Sequence, residues 1–364
     1  MAEVSQTRGN IGEWSELLAL ATLLVNGGSY AADENQNPID DLYFKVLQVI
    51  ISAHDLQGEL KYQINEEKID IYENNELIDE IERKAIANHL EFFYQDLKNG
   101  KARKTFTLKS GIDLMEILHK KTISAGSGER ETDFSLVIAD AETGGPTPRF
   151  GFSIKSQLGQ ASTLLNSSGS TNIIYEVLPD QNASTSALPD ISESPSSHPQ
   201  NIRRIIGAGY TLKFNGYQNE VFEENLSYVD SQLPEHLAMV LLESYVNDQI
   251  KSFAEISERV FPVNKKASEQ PLFKLKEFLG AVSMGLRPST QWKGNSSKFK
   301  GLMVVKDDGS LIFYYMNSRL NFEEYLFRNV RFERPSTKRH KYGAMYAIGE
   351  STFIKLNIQI RFNR

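Results

Sequence analysis

Cysteine is absent from the 364 residues, which removes disulfides, thiolate metal sites and cysteine nucleophiles together. A reducing compartment is compatible with that absence. No apolar run approaches bilayer-spanning length, and the opening MAEVSQTRGNIGEW lacks the basic-then-apolar pattern of an export signal. The expectation is a cytoplasmic protein with no membrane partner. Histidines number six, and His89 has no second histidine at metal-binding spacing, so it reads as a packed helix residue rather than a ligand.

What remains is the composition of a globular chain, 40% hydrophobic and 24% charged. At this length two domains or one large one are expected. The net charge of −7 is unevenly spread: residues 1–200 carry 16 Lys+Arg against 30 Asp+Glu, and residues 201–364 carry 24 against 17. A basic C-terminal half suits phosphate neutralisation, and an acidic N-terminal half suits a bound cation. Plain decoration of solvent faces is the competing account for most of these charges.

The chemistry concentrates between Thr132 and Asn172, TDFSLVIADAETGGPTPRFGFSIKSQLGQASTLLNSSGSTN. A strand led by Asp133, a turn through Gly144, Gly145, Pro146 and Pro148, and a strand from Phe150 to Ile154 deliver Lys155 beside Asp133. An aspartate and a lysine meeting at one point can hold a divalent cation and activate a water. The pair resembles the PD-(D/E)XK nuclease arrangement, with one departure: Ser153 stands where an Asp or Glu is usual. Serine is a poor ligand for a hard cation, so a carboxylate from elsewhere is required. Helix 11–25 offers Glu13 and Glu16, both bordering an apolar face, and either can reach the site.

Four further stretches are quoted for a wider resemblance: GEWSELL, YAADENQNPID, SIKSQLGQASTLLNSSGSTNIIYEV and RHKYGAMYAIGESTFIKLNIQIRF. Together they resemble HpaII-type restriction endonucleases over nearly the whole chain and in the family's order. The resemblance implies an α/β (mixed α+β) restriction-endonuclease-like core, with a mixed central sheet flanked by helices and additional C-terminal recognition elements. The stretch 179–200, PDQNASTSALPDISESPSSHPQ, reads as a loop or linker. The expected division is therefore a catalytic core region at 1–178, that linker at 179–200, and a basic DNA-recognition and dimerisation region at 201–364 that can be integrated with the core.

Along the chain, periodicity predicts helices at 11–25, 40–53, 77–97, 112–120, 156–165, 234–251, 271–285 and 321–329. Strands are expected at 60–73 about Asn65–Glu67, at 171–177, at 210–214, at 301–306 and 310–316 about Asp307-Asp308-Gly309, and in a closing hairpin within 342–362. Candidate DNA contacts are the polar loop Asn166, Ser167 and Ser168; Arg203 and Arg204; the run Arg287, Trp292, Lys293 and Lys298; and the cluster Lys338, Arg339, His340 and Lys341. A plain turn or surface loop competes at the first and third, and solvated connection at the basic island 101–104. Arg339 and His340 fall in a motif characteristic of the family resembled.

Within that resemblance, Asp133, Glu16 or Glu13, and the Ile154 carbonyl would hold Mg²⁺, and Lys155 would orient the attacking water. Gln157 would hold that water or a phosphate, or act one layer further out. The expected activity is Mg²⁺-dependent hydrolysis of double-stranded DNA at a short palindrome, CCGG, leaving 5′-phosphates. A homodimer and a cognate DNA methyltransferase as functional partner are also implied. A repair or junction-resolving nuclease with the same metal site is one alternative, and a catalytically idle DNA-binding protein, which Ser153 makes thinkable, is the other.

Overall fold

The computed structural model describes residues 7–52, 58–100, 105–123, 132–181, 184, 186–189, 198–294, 299–315 and 319–363. Lys298, the basic island 101–104 and half of the expected linker lie outside them. In chain order the elements are α1 (Ile11–Asn26), β1 (Gly28–Ala32), β2 (Pro38–Ser52), β3 (Glu59–Ile64), β4 (Lys68–Glu73), β5 (Glu76–Glu82), α2 (Arg83–Asn99), α3 (Lys109–Ile117), β6 (Phe134–Ile138), β7 (Phe150–Ser156) and β8 (Thr163–Leu165). They continue with β9 (Asn172–Pro179), α4 (His198–Gly207), β10 (Tyr210–Tyr217), α5 (Glu220–Val229), α6 (Leu233–Val246), α7 (Phe253–Val260), α8 (Glu269–Ser283), β11 (Phe299–Val305), β12 (Leu311–Tyr315), α9 (Arg319–Asn329), β13 (Val330–Phe332), α10 (Thr337–His340), β14 (Met345–Ile348), β15 (Ser351–Asn357) and β16 (Ile360–Phe362).

Two compact units are present, one of residues 1–162 and 296–322 with residue 364, the other of 163–295 and 323–363. Neither is the contiguous stretch that the linker at 179–200 suggested. The reason is strand pairing: β11 joins β7 in parallel, which carries the hairpin β11–β12 back into the first unit. Charge follows the same route. The second unit holds 19 Lys+Arg and 19 Asp+Glu, so the basic excess of the C-terminal half is not an excess of this unit.

The first unit is built on a nine-stranded mixed sheet in the order β1-β12-β11-β7-β6-β2-β3-β4-β5. Because β1 also pairs with β2, the strands β1, β12, β11, β7, β6 and β2 form a ring of pairings. Helix α1 is apolar nearly all round, and Trp14 and every residue from Leu17 to Leu24 are buried, as such a helix must be. Its start is fixed by a capping box between Asn10 and Glu13, and its end by Gly27 at φ 72°, a left-handed position a side chain would strain. Arg83 donates from Nε to the Val25 carbonyl at 3.2 Å and from Nη1 to the Glu66 carbonyl at 3.0 Å, placing a cation at the C-terminal end of α1.

Three expectations fail in this unit. The helix expected at 40–53 is absent over its described part, since residues 40–52 belong to strand β2: Val46, Val49, Ile50 and Ile51 are β-branched and lose less in a sheet than against a helical turn. The helix expected from Leu77 begins at Arg83, because residues 76–82 pair with β4 as an edge strand whose Glu76, Glu80 and Glu82 discourage further pairing. Residues 156–165 do not form a helix; Gly159, at φ 87°, turns the chain against Ile11, and β8 follows.

The second unit contains a four-stranded antiparallel sheet, β10-β9-β15-β14, and a three-stranded one, β13-β16-β8. Ile173, Tyr175 and Val177 of β9 alternate into the core, as period-two burial requires. Tyr175 donates to the Ala238 carbonyl at 2.8 Å and Tyr245 to the Asn357 carbonyl at 3.1 Å, so each buried hydroxyl is satisfied on a neighbouring element. The strands expected at 171–177 and 210–214, the helices at 234–251 and 271–285, and the closing hairpin all have counterparts here, with shifted ends.

Candidate active site and DNA-contact surface

Strands β6 and β7 are antiparallel, with Phe134 opposite Phe152. One residue before that pair, the Asp133 N–H donates to the Phe152 carbonyl at 2.9 Å, and the Ile154 N–H donates to Asp133 Oδ2 at 2.6 Å. The aspartate is thereby clamped beside Lys155. Along β7 the side chains of Phe152 and Ile154 are buried while Ser153 and Lys155 are half-exposed. A Cβ on Gly151 would lie 2.4 Å from Thr132 Cγ2, so only glycine lets the segment carrying Asp133 approach β7 this closely.

Burial pushes the Asp133 carboxyl above the usual carboxylate range, against the opposing pull of the Ile154 N–H and the Lys155 charge. A desolvated carboxylate whose charge is under-compensated by the chain is what a cation would stabilise.

Helix α1 reaches the same strand. Ser15 Oγ lies 2.8 Å from Ser156 Oγ, and Ser156 Oγ accepts the Leu158 N–H at 3.0 Å. Glu16 and Lys155 are the immediate chain neighbours of that serine pair. The two acids of α1 now separate. Glu13 Oε2 accepts the Asn10 N–H at 2.7 Å and Asn10 Oδ1 accepts the Glu13 N–H at 3.1 Å, so Glu13 serves the helix start. Glu16 acts on Lys120 instead. That lysine is 5% exposed, with Nζ donating to the Thr122 carbonyl at 2.6 Å. Burial lowers its ammonium to about 8, and the Glu16 carboxylate pulls the other way. Gln157 Nε2 donates to Gln36 Oε1 at 2.5 Å, and its backbone N–H to the Val305 carbonyl at 2.9 Å, which ties the end of β7 to the loop 33–37.

Ser15, Gln36, Lys120 and Ser156 were missed in the sequence. Ser15, Gln36 and Ser156 lay within stretches that carry the family resemblance, GEWSELL, YAADENQNPID and SIKSQLGQ, whereas Lys120 carried no signal. No group of three or more His, Cys, Asp or Glu able to hold a metal exists among the described residues. A cation here would have two carboxylates at most, which fits Mg²⁺, an ion that keeps several waters and takes substrate phosphate oxygens.

The second unit gathers part of the expected DNA surface. Ser167 Oγ and His340 Nε2 are 3.2 Å apart, bringing the 166–168 loop to the basic cluster, and burial together with Arg339 lowers the His340 pKa. Asn166 is exposed. Lys338, Arg339 and Lys341 are exposed and make no ion pair among the described residues; the same holds for Arg204 and Lys293. Arg203 is different, since it pairs with Asp248 at 2.9 Å. Arg287 donates to the Val282 and Leu286 carbonyls, at 3.1 and 3.2 Å, at the end of α8. Its loop is built rather than free: buried Asn225 donates to the carbonyls of Arg287 and Thr290 and accepts the Trp292 N–H at 2.8 Å.

The sequence profile of the HpaII restriction endonuclease family matches residues 10–362. The chain belongs to that family. It is 33% identical to the Type II restriction enzyme HpaII of Haemophilus parainfluenzae over 365 residues, covering 97% of this chain and 98% of that protein. No solved structure matches. Membership in the HpaII family makes the chain a Type II site-specific deoxyribonuclease, hence a DNA-binding protein, with a restriction-endonuclease fold. Enzymes of such families generally use divalent metal ions. Among the described residues no helix is long and apolar enough to cross a membrane.

Proposed function

We propose that this enzyme hydrolyses both strands of DNA at CCGG with Mg²⁺, leaving 5′-phosphates. We assign the chemistry to Asp133, Glu16 and Lys155. The observation that carries this assignment is the 2.6 Å hydrogen bond from the Ile154 N–H to Asp133, which fixes an aspartate beside a lysine at the end of two paired strands. Mg²⁺, when bound, offsets charge building on the phosphate and the leaving 3′ oxygen.

Asp133 and Glu16, with the Ile154 carbonyl, supply hard oxygen ligands. Lys155 orients the attacking water, and its ammonium charge favours the hydroxide that forms as the proton passes to solvent. Ser153 adds no ligand charge, so Glu16 replaces the acid that the strand lacks. Glu13, committed to the helix cap, is left out of the ligand set, and Gln157 positions the end of β7 through Gln36. Lys338, Arg339 and Lys341 provide phosphate or guanine contacts. A palindromic target is read most simply by a two-fold homodimer, and a cognate methyltransferase would protect host sites.

The test is incubation of unmethylated plasmid with purified protein and Mg²⁺, followed by end-sequencing. Discrete fragments with one repeated end sequence and 5′-phosphates are expected. Structure-dependent nicking without a common sequence would favour a repair nuclease, and specific binding without cleavage an idle DNA-binding protein.

A further inference from the structure

Buried Asn172, Asn357 and Thr171, each 0% exposed, form the centre of a polar network in the second unit. Two backbone carbonyls fix the orientation of its amides. Asn357 Nδ2 donates to the Ser168 carbonyl at 2.7 Å, which a side-chain oxygen could not do, and also to Asn172 Oδ1 at 2.6 Å. Asn172 Nδ2 donates to the His340 carbonyl at 3.0 Å, and its remaining N–H points to Gln218 at 2.9 Å. The atom it meets must be an acceptor, Oε1. Gln218 is exposed, its backbone N–H donates to the Asn172 carbonyl at 2.9 Å, and its Nε2 has no partner among the described residues. That nitrogen lies 3.7 Å from where a Cβ on Gly169 would stand, beside the loop that carries Ser167.

A free glutamine can turn either end of its amide toward a base, and so accommodates adenine with both ends or another base with one. Gln218 has lost that freedom, because turning the amide would set N–H against N–H on Asn172. In the major groove guanine presents two adjacent acceptors, N7 and O6, whereas adenine pairs an acceptor with a donor, thymine has the single acceptor O4 beside its methyl group, and cytosine offers a donor. Phosphate oxygens would also accept from Nε2, but a phosphate contact needs no fixed amide orientation, and Lys338, Arg339 and Lys341, which flank His340 and make no ion pair among the described residues, already suit that role. We propose that Gln218 is a base-reading residue whose side-chain amide, locked oxygen-inward on Asn172, offers donors alone and so selects guanine. This rests on the reading of the chain as a sequence-specific DNA-cutting enzyme.

The experiment measures binding by fluorescence anisotropy without Mg²⁺, on duplexes carrying the site mapped from cleavage ends or from selection of bound sequences. Site guanines are replaced singly by 7-deazaguanine, which lacks N7, or 2-aminopurine, which lacks O6. At one guanine, wild type should lose about tenfold in affinity on replacement, and Gln218→Ala should lose as much on normal DNA with no further penalty from the analogue. Gln218→Glu keeps an acceptor for Asn172 but faces guanine with an oxygen, so it should bind the site more weakly than Gln218→Ala. Additive penalties, equal weakening on all sequences as a phosphate contact would give, a Gln218→Glu protein milder than Gln218→Ala, or a site without guanine would each overturn the proposal. Failure of the nuclease reading looks different: wild type then leaves DNA uncut with Mg²⁺, while the binding arm still reports on Gln218. A wild type that neither cuts nor binds one sequence overturns both.

Discussion

The two units both bury polar groups, but for opposite ends. In the first, the polar centre is ionic and under tension: Asp133 is desolvated, and Lys120 is an almost fully buried ammonium answering Glu16. In the second, the centre is neutral and closed, with Asn172, Asn357 and Thr171 passing hydrogen bonds among carbonyls and amides. Charge held in low dielectric attracts a cation and a phosphate strongly, at a cost in stability. A satisfied neutral network instead fixes where donors and acceptors point. Under the proposed function, the contrast would correspond to a division between cutting and reading.

Asp133→Asn should sharpen this contrast most. The loss of charge should abolish Mg²⁺-dependent plasmid cleavage while the thermal melt stays within a few degrees of wild type; retained cleavage would break the ionic account of the first unit. Next is the pair in α1. Glu16→Gln should remove nearly all cleavage and also lower stability by leaving the buried Lys120 ammonium without its countercharge, whereas Glu13→Ala should cost about 1 kcal/mol in urea unfolding through loss of the cap and leave the cleavage rate within a few-fold. The reverse ranking would return Glu13 to the ligand set.

The second unit is tested by Asn357→Leu, which strips partners from the Ser168 carbonyl and from Asn172. It should cost about 2 kcal/mol or more and weaken discrimination between the target and single-base variants. Unchanged discrimination would show that the network supports the fold alone. The smallest effect is expected from Lys120→Met. Cleavage should fall several-fold because Glu16 loses its countercharge, yet the melting temperature should hold or rise, since a buried ammonium is replaced by an apolar chain of similar length.

How much of this was legible follows from the range of each signal. The meeting of Asp133 and Lys155 was readable because a hairpin converts sequence spacing into position. Glu13 and Glu16 both stayed open from the sequence, although the Asn10-x-x-Glu13 pattern of a capping box already ties Glu13 to the helix start. Strand β2 was hidden because its apolar residues also satisfy a helical period, and only its β-branching spoke for a sheet. Lys120 and Gln218 gave no local sign. Each is defined by what it meets far along the chain, Glu16 for the first and Asn172 for the second, and pairings of that range are set by tertiary packing. The two-unit division was obscured for the same reason, as hairpin β11–β12 returns to a sheet begun about 270 residues earlier.

The central claim, that Lys155 acts on water beside Asp133, is tested most directly by single-turnover cleavage of a short duplex carrying the mapped site, with Lys155→Ala compared with wild type at saturating protein and Mg²⁺. The account predicts that the variant binds the duplex with wild-type affinity and leaves it intact over times many-fold longer than wild type needs. Cleavage by Lys155→Ala at the wild-type rate would contradict it.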